Sequence, residues 1–218
     1  MTQETHRDES LLGLLKGVEK FSHKVFQENK PLFDELAGSQ SPHTLFITCA
    51  DSRVVPEMIT QTEPGELFVC RNVGNIVPAY GEMMGGVSAV VEYAVTVLKV
   101  SNVVICGHTD CGAMKGLLNP DSTKDLPTVE AWLRNAQAAK STVFARKVDD
   151  ADILQATIEE NVRLQLDHIR THPSVRASNQ ITLQGWVYNI GDGSVTVLDE
   201  HENRFVPLAA AIKRENHA

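Results

Sequence analysis

With 218 residues, 42% of them hydrophobic, the chain can bury one substantial core. Its 20 Lys and Arg against 28 Asp and Glu give a formal net charge of -8, which leaves no basic footprint for nucleic acid or for an anionic membrane. No run approaches the roughly 20 apolar residues of a membrane-spanning helix, and the polar, acidic residues 1–10 are unlike a secretion signal, so the expected location is the cytoplasm.

Residues 9–28 place Leu11, Leu14, Leu15, Val18, Phe21, Val25 and Phe26 at helical spacing and predict an amphipathic helix. Short buried strands follow at 44–48 and 66–70. Gly85 and Gly86 precede a helix over 87–98, and 102–106 reads as a third buried strand. Pro127 can open a helix running to about residue 143. Residues 153–169 predict another, with Leu154, Ile158, Val162, Leu166 and Ile169 along one face, stopped by His172 and Pro173. Two last strands, 181–189 and 195–198, flank the glycine turn at 191–193. Strands alternating with helices predict an α/β fold: a mostly parallel central sheet flanked by helices, with an antiparallel edge. No repeat or linker divides the chain, so residues 1–218 read as a single domain, and 119–125 as a surface excursion.

The chemistry concentrates in two segments. Of four cysteines, Cys70 and Cys106 lie in apolar runs and read as small buried hydrophobes. Cys49 and Cys111 differ, each lying where an apolar strand has just ended. In open α/β sheets, sites form beyond the carboxyl ends of strands, so residues 49–53 and 107–112 could meet at one rim. His108 and Cys111, three residues apart, offer the nitrogen and sulfur donors that tetrahedral zinc prefers, and Cys49 supplies a third. In an extended segment Cys49, Asp51 and Arg53 would project to the same side. The pair could be an ordinary surface ion pair, worth little. Alternatively Asp51 has two partners: zinc, which closes the shell, or the Arg53 guanidinium, which leaves the fourth position to water. Rival patterns fail, since there is no Cys-x-x-Cys, no deaminase motif and no phosphate-loop ending after the glycines of 74–86. The histidines other than His108 are scattered and read as surface or core filler.

The segment Cys49-Ala50-Asp51-Ser52-Arg53, together with residues 107–116 (GHTDCGAMKG), resembles the signature pair of the β-class carbonic anhydrases. The stretches 64–69, 71–78 and 92–95 match as well, so the likeness runs from about residue 13 to 198. Gln40, nine residues before the first of these cysteines, is similar to the glutamine of the plant and cyanobacterial branch. The resemblance implies about one zinc ion per chain on Cys49, His108 and Cys111, with Asp51 as exchangeable fourth ligand and Arg53 as its clamp. It implies a substrate pocket of Gln40, Phe68, Val73, Tyr93 and the Gly112 amide, although Phe68, Val73 and Tyr93 taken alone read as core. It further implies a homodimer or dimer of dimers, with residues 1–36 as a helical dimerisation arm.

The expected activity is therefore reversible hydration of carbon dioxide to bicarbonate by a metal-bound hydroxide. Hydrolysis of carbonyl sulfide or carbon disulfide on the same scaffold, and a non-catalytic zinc-stabilised binding module, stand as the alternatives. One branch of the family resembles an allosteric enzyme inhibited by bicarbonate at a tryptophan, arginine and tyrosine. The corresponding residues here are Phe46, Arg71 and Tyr188, and the phenylalanine lacks the indole N–H. Non-cooperative behaviour toward bicarbonate is the expectation.

Overall fold

The computed structural model describes residues 3–215, with side chains over 9–214; residues 1, 2 and 216–218, the ends of the expected domain and arm, lie outside the described residues. Two compact units are present, Met1–Gln40 and Ser41–Ala218.

The first unit is helical. Helix α1 (Gln3–Lys20) starts before the predicted residue 9 and widens into a π-helical turn over Phe21–Val25, followed by the short α2 (Phe26–Glu28) and α3 (Lys30–Leu36). Phe26 stacks on Phe33 at 4.8 Å between ring centroids, and Phe21 meets both edge-on. Leu11, Leu14, Leu15 and Val18 are each more than half exposed.

The second unit carries six strands: β1 (Thr44–Cys49), β2 (Leu67–Asn72), β3 (Asn102–His108), β4 (Thr182–Tyr188), β5 (Val195–Asp199) and β6 (Arg204–Pro207). Between them run α4 (Pro56–Thr60), α5 (Gly86–Thr96), α6 (Gly112–Leu118), α7 (Pro127–Leu133), α8 (Gln137–Ala145), α9 (Ile153–Arg170) and α10 (Pro173–Arg176), and α11 (Leu208–Glu215) closes the described chain. The strand order is β2-β1-β3-β4-β5-β6, parallel over the first four and antiparallel at β5 and β6. The predicted sheet, mostly parallel with an antiparallel edge, is thus observed.

Three expectations need correcting. The predicted helix over 127–143 is two helices, parted by a 3-10 turn at Arg134–Ala136. There the Asn135 side-chain amide donates to the Trp132 carbonyl at 2.9 Å, competing with the backbone ladder. The expected final hairpin is a three-strand meander. Asp199 Oδ1 accepts from the His201 and Glu202 amides, and Asn203 adopts a left-handed φ of 49°, so the chain turns back into β6. The excursion at 119–125 is partly a 3-10 turn over Pro120–Thr123, and Thr123 is buried.

Alternation along the strands divides two apolar faces. Leu45, Ile47, Val103 and Ile105 join Ile158, Val162 and Leu166 of α9 in the main core, while Phe46, Val104 and Cys106 form a smaller cluster with Trp186. Helix α9 approaches the sheet over two glycines. A Cβ on Gly107 would lie 2.9 Å from Val162 Cγ2, and one on Gly185 would lie 2.9 Å from both Val162 Cγ1 and Leu166 Cδ1. Adding a methyl there forces the helix outward. Gly185→Ala should therefore cost about 1–3 kcal/mol of stability, read as a lower midpoint in urea; an unchanged midpoint would show that the helix yields freely.

Candidate metal centre

Cys49 is the last residue of β1 and His108 the last of β3, neighbouring strands whose carboxyl ends open the crevice where such sheets bind ligands. Cys111 follows as the N-cap residue of α6. The chain between them is held tightly. Asp110 takes a left-handed φ of 62°, the Thr109 amide donates to the Tyr188 carbonyl at 2.9 Å, and Thr109 Oγ1 accepts from the Ile190 amide. These ties fix the end of β3 against the end of β4.

As a result, one donor atom each from Cys49, His108 and Cys111 gathers within 4.8 Å of the others, with all three residues buried. His108 Nδ1 lies 2.9 Å from the Thr109 carbonyl, which can only accept, so the proton sits on Nδ1 and the Nε2 lone pair is free. Nε2 is itself buried and has no hydrogen-bond partner among the described residues. A buried acceptor without a donor is costly unless a cation meets it. A hydrogen bond between the two sulfurs draws the Cys49 thiol pKa down and pushes that of Cys111 up, burial adding to the rise at Cys111. Two sulfurs and one imidazole nitrogen are the donor set that suits a structural or catalytic zinc ion. Burial alone pushes Cys106 up to about 12 and also raises Cys70, so these thiols are inert, as their apolar surroundings predict.

Beside this cluster, Asp51 is bound to Arg53 through two parallel contacts, Nε to Oδ1 at 2.9 Å and NH2 to Oδ2 at 2.8 Å. This bidentate grip holds the Asp51 carboxyl well below the usual carboxylate range, despite partial burial. Asp51 Oδ2 remains 3.9 Å from His108 Nε2. Asp51 and Arg53 meet, but through a turn and not by the strand alternation that the spacing predicts. The chain leaves the sheet after Cys49 and turns at Ser52 and Arg53, and the Arg53 amide donates back to Asp51 Oδ1 at 3.0 Å. Asp110 takes the free edge of the guanidinium, 3.2 Å from NH1, and is itself paired with Lys115. In the sequence Asp110 and Lys115 look like ordinary surface charges, and only the fold brings them to Arg53.

The remaining residues are placed as follows. Phe68 on β2 and Tyr93 on α5 have ring centroids 5.9 Å apart. Val73 and Tyr93 are 42% and 45% exposed, so the core reading fails for both. Gly112 is an exposed first residue of α6, with no atom within 4 Å of where a Cβ would stand. Gln40 closes the helical unit as an exposed residue. Arg71 is engaged internally, with NH2 2.7 Å from the Asp51 carbonyl and Nε 3.3 Å from that of Cys49. Phe46 meets Trp186 edge-on at 5.8 Å. With Arg71 committed to the backbone, initial rates should show simple rather than sigmoidal inhibition by bicarbonate; a sigmoidal curve lost in Arg71→Ala would contradict this.

A family model described as carbonic anhydrase matches residues 44–195. A carbonic anhydrase of Pseudomonas aeruginosa is 48% identical over 200 residues, covering 90% of this chain and 91% of its own. Among solved structures, the β-carbonic anhydrase CcaA superposes with a TM-score of 0.88 at 38% identity, over 91% of this chain and 92% of its own. The chain belongs to the β-class carbonic anhydrases. A tetrameric β-carbonic anhydrase from Sordaria macrospora is also similar, with a TM-score of 0.78 at 28% identity, over 87% of this chain and 97% of its own. As a β-class chain it carries both signature segments inside the matched region, Cys49 to Arg53 and His108 to Cys111. Among the described residues, no helix is long and apolar enough to cross a membrane.

Proposed function

We infer that this chain interconverts carbon dioxide and bicarbonate at a zinc ion held by Cys49, His108 and Cys111. The observation that carries the reading is the convergence of those three donors within 4.8 Å, beside a carboxylate already gripped by an arginine. Zinc bound there supplies Lewis acidity, tempered by two thiolates, that makes water acidic enough to act as a nucleophile near neutral pH. Asp51, ionised by its pairing with Arg53, accepts a hydrogen bond from the attacking water and fixes its direction. Arg53 holds the same carboxylate away from the three donors, and were the clamp to open, Asp51 would be free to serve as a further ligand to a bound zinc ion. The Gly112 N–H meets the bicarbonate formed. Phe68, Val73 and Tyr93 wall the pocket against bulk water. The water oxygen bonds to the carbon, one carbon–oxygen π pair moves onto oxygen, and one proton leaves.

Residues 1–36 serve as a dimerisation arm, and the enzyme works as a homodimer or dimer of dimers. The exposed leucines of α1 support this, since a helix with apolar residues left in water gains by covering a second copy. Four unpaired cysteines suit a reducing compartment, so we place the enzyme in the cytoplasm. Deleting residues 1–28 should lower the mass seen by light scattering, as should the milder pair Leu14→Glu and Leu15→Glu. Unchanged mass in a soluble truncated protein would count against the arm.

The activity itself is tested by stopped-flow hydration on metal-replete protein, with carbonyl sulfide and carbon disulfide offered separately. Fast turnover of carbon dioxide is expected. Turnover of the sulfur compounds alone would assign a different hydrolase, and zinc without turnover of any of them would leave only a binding module.

A further inference from the structure

We propose that Trp132, Asn161 and Gln165 are positioning residues that aim one backbone amide at the sulfur of Cys49 and so set the strength of that metal ligand. The inference deepens the zinc assignment and rests on it. The amide belongs to the peptide joining Val73 and Gly74, just beyond β2. Its N–H donates to Cys49 Sγ at 3.4 Å. The carbonyl of the same peptide, on Val73, accepts from Trp132 Nε1 at 2.7 Å. The indole therefore fixes the peptide plane from one end, and hydrogen bonds in series polarise one another.

The next peptide is held from the other side. Asn161 Nδ2 donates to the Gly74 carbonyl at 3.0 Å, and Gln165 Nε2 donates to Asn161 Oδ1 at 2.8 Å. Gln165 Oε1 in turn accepts from the Val77 amide at 2.8 Å, closing a bracket around the loop. Asn161 and Gln165 are 1% and 0% exposed, so no water competes for these bonds. The loop would not hold this shape unaided. Gly74 and Asn75 have φ values of +83° and +49°, and a Cβ on Gly74 would lie 3.0 Å from Ala113 Cβ. Ala113 follows Cys111 by two residues, so the same loop also packs beside a second ligand.

An N–H bond to a thiolate stabilises its charge and orients its lone pairs, and such outer contacts commonly change metal affinity by about 10–100-fold. Trp132→Phe keeps an aromatic ring at this position but removes the N–H together with the pyrrole part of the indole. Asn161→Leu keeps the branched shape, adds some bulk and breaks the bracket. Zinc affinity, measured by competition with a chromogenic chelator, should fall by about 10-fold or more in both. In cobalt-substituted protein the sulfur-to-metal charge-transfer band should move to longer wavelength, because an unstabilised sulfur lone pair lies higher in energy. Ile169→Ala, which removes packing from the same helix but no hydrogen bond, should lower stability while leaving affinity and band unchanged. If Asn161→Leu does not fold, Trp132→Phe decides. Wild-type affinity and band in Trp132→Phe would overturn the proposal, as would equal losses in Ile169→Ala. Failure of the unmodified protein to take up metal at all would overturn the zinc assignment, and this proposal with it.

Discussion

Cys49→Ser, His108→Ala and Cys111→Ser should each strip the protein of its zinc. Each removes one of three donors, and the two left behind cannot fix a tetrahedral ion. The loss should exceed the roughly 10–100-fold typical of outer contacts, and elemental analysis after gel filtration should find well under one zinc per chain. His108→Ala should be the most severe, because His108 is wholly buried and its loss also leaves a cavity. Cys106→Ser and Cys70→Ser provide the contrast. Both thiols are buried and kept protonated by that burial, so these changes should leave metal content intact. Full zinc occupancy in all three ligand variants would overturn the assignment.

Arg53→Ala should keep its zinc yet lose roughly 100-fold in hydration rate, the scale on which a misplaced reacting group acts. Two hydrogen bonds tie Asp51 to the guanidinium, and the neighbouring cations are engaged elsewhere, Lys115 with Asp110 and Arg71 with the Asp51 and Cys49 carbonyls. Released, a carboxylate 3.9 Å from His108 Nε2 would turn toward a dication in that cluster and close the coordination shell. Arg53→Lys should recover only part of the rate, because an ammonium cannot hold both carboxylate oxygens in one plane. Stopped-flow rates alongside zinc analysis check this, and near-normal turnover in Arg53→Ala would refute the clamp.

The metal cluster was legible because its residues break a pattern. Cys49, His108 and Cys111 interrupt or follow apolar strands with polar and glycine residues, at positions where a parallel sheet delivers its strand ends. The pairing of Asp51 with Arg53 was legible for a different reason from the one that operates. Alternation along an extended chain suggested it, whereas a turn achieves it, with the Arg53 amide folding back onto Asp51. A turn of two residues leaves little trace in composition.

Other features leave weaker signals in the sequence. Leu154, Ile158, Val162, Leu166 and Ile169 mark the apolar stripe of α9 in the sequence, yet Asn161 and Gln165 are buried on the same helix. Two amides inside an apolar stripe are a sign of a buried network, since such groups stay inside only when bonded. Their partners in the loop after β2 are backbone atoms, which sequence does not display. Strand β6 is not legible in the sequence because four residues at a sheet edge offer no run of alternation. Asp199 and Asn203 were the available hints of its turn.

Titrating zinc into metal-free protein while following carbon dioxide hydration tests the central claim most directly. Activity should rise linearly and level off at about one zinc per chain, with Cys49→Ser giving no rise at any ratio. Hydration that proceeds at full rate in the metal-free protein, or zinc that saturates without any gain in rate, would contradict the account.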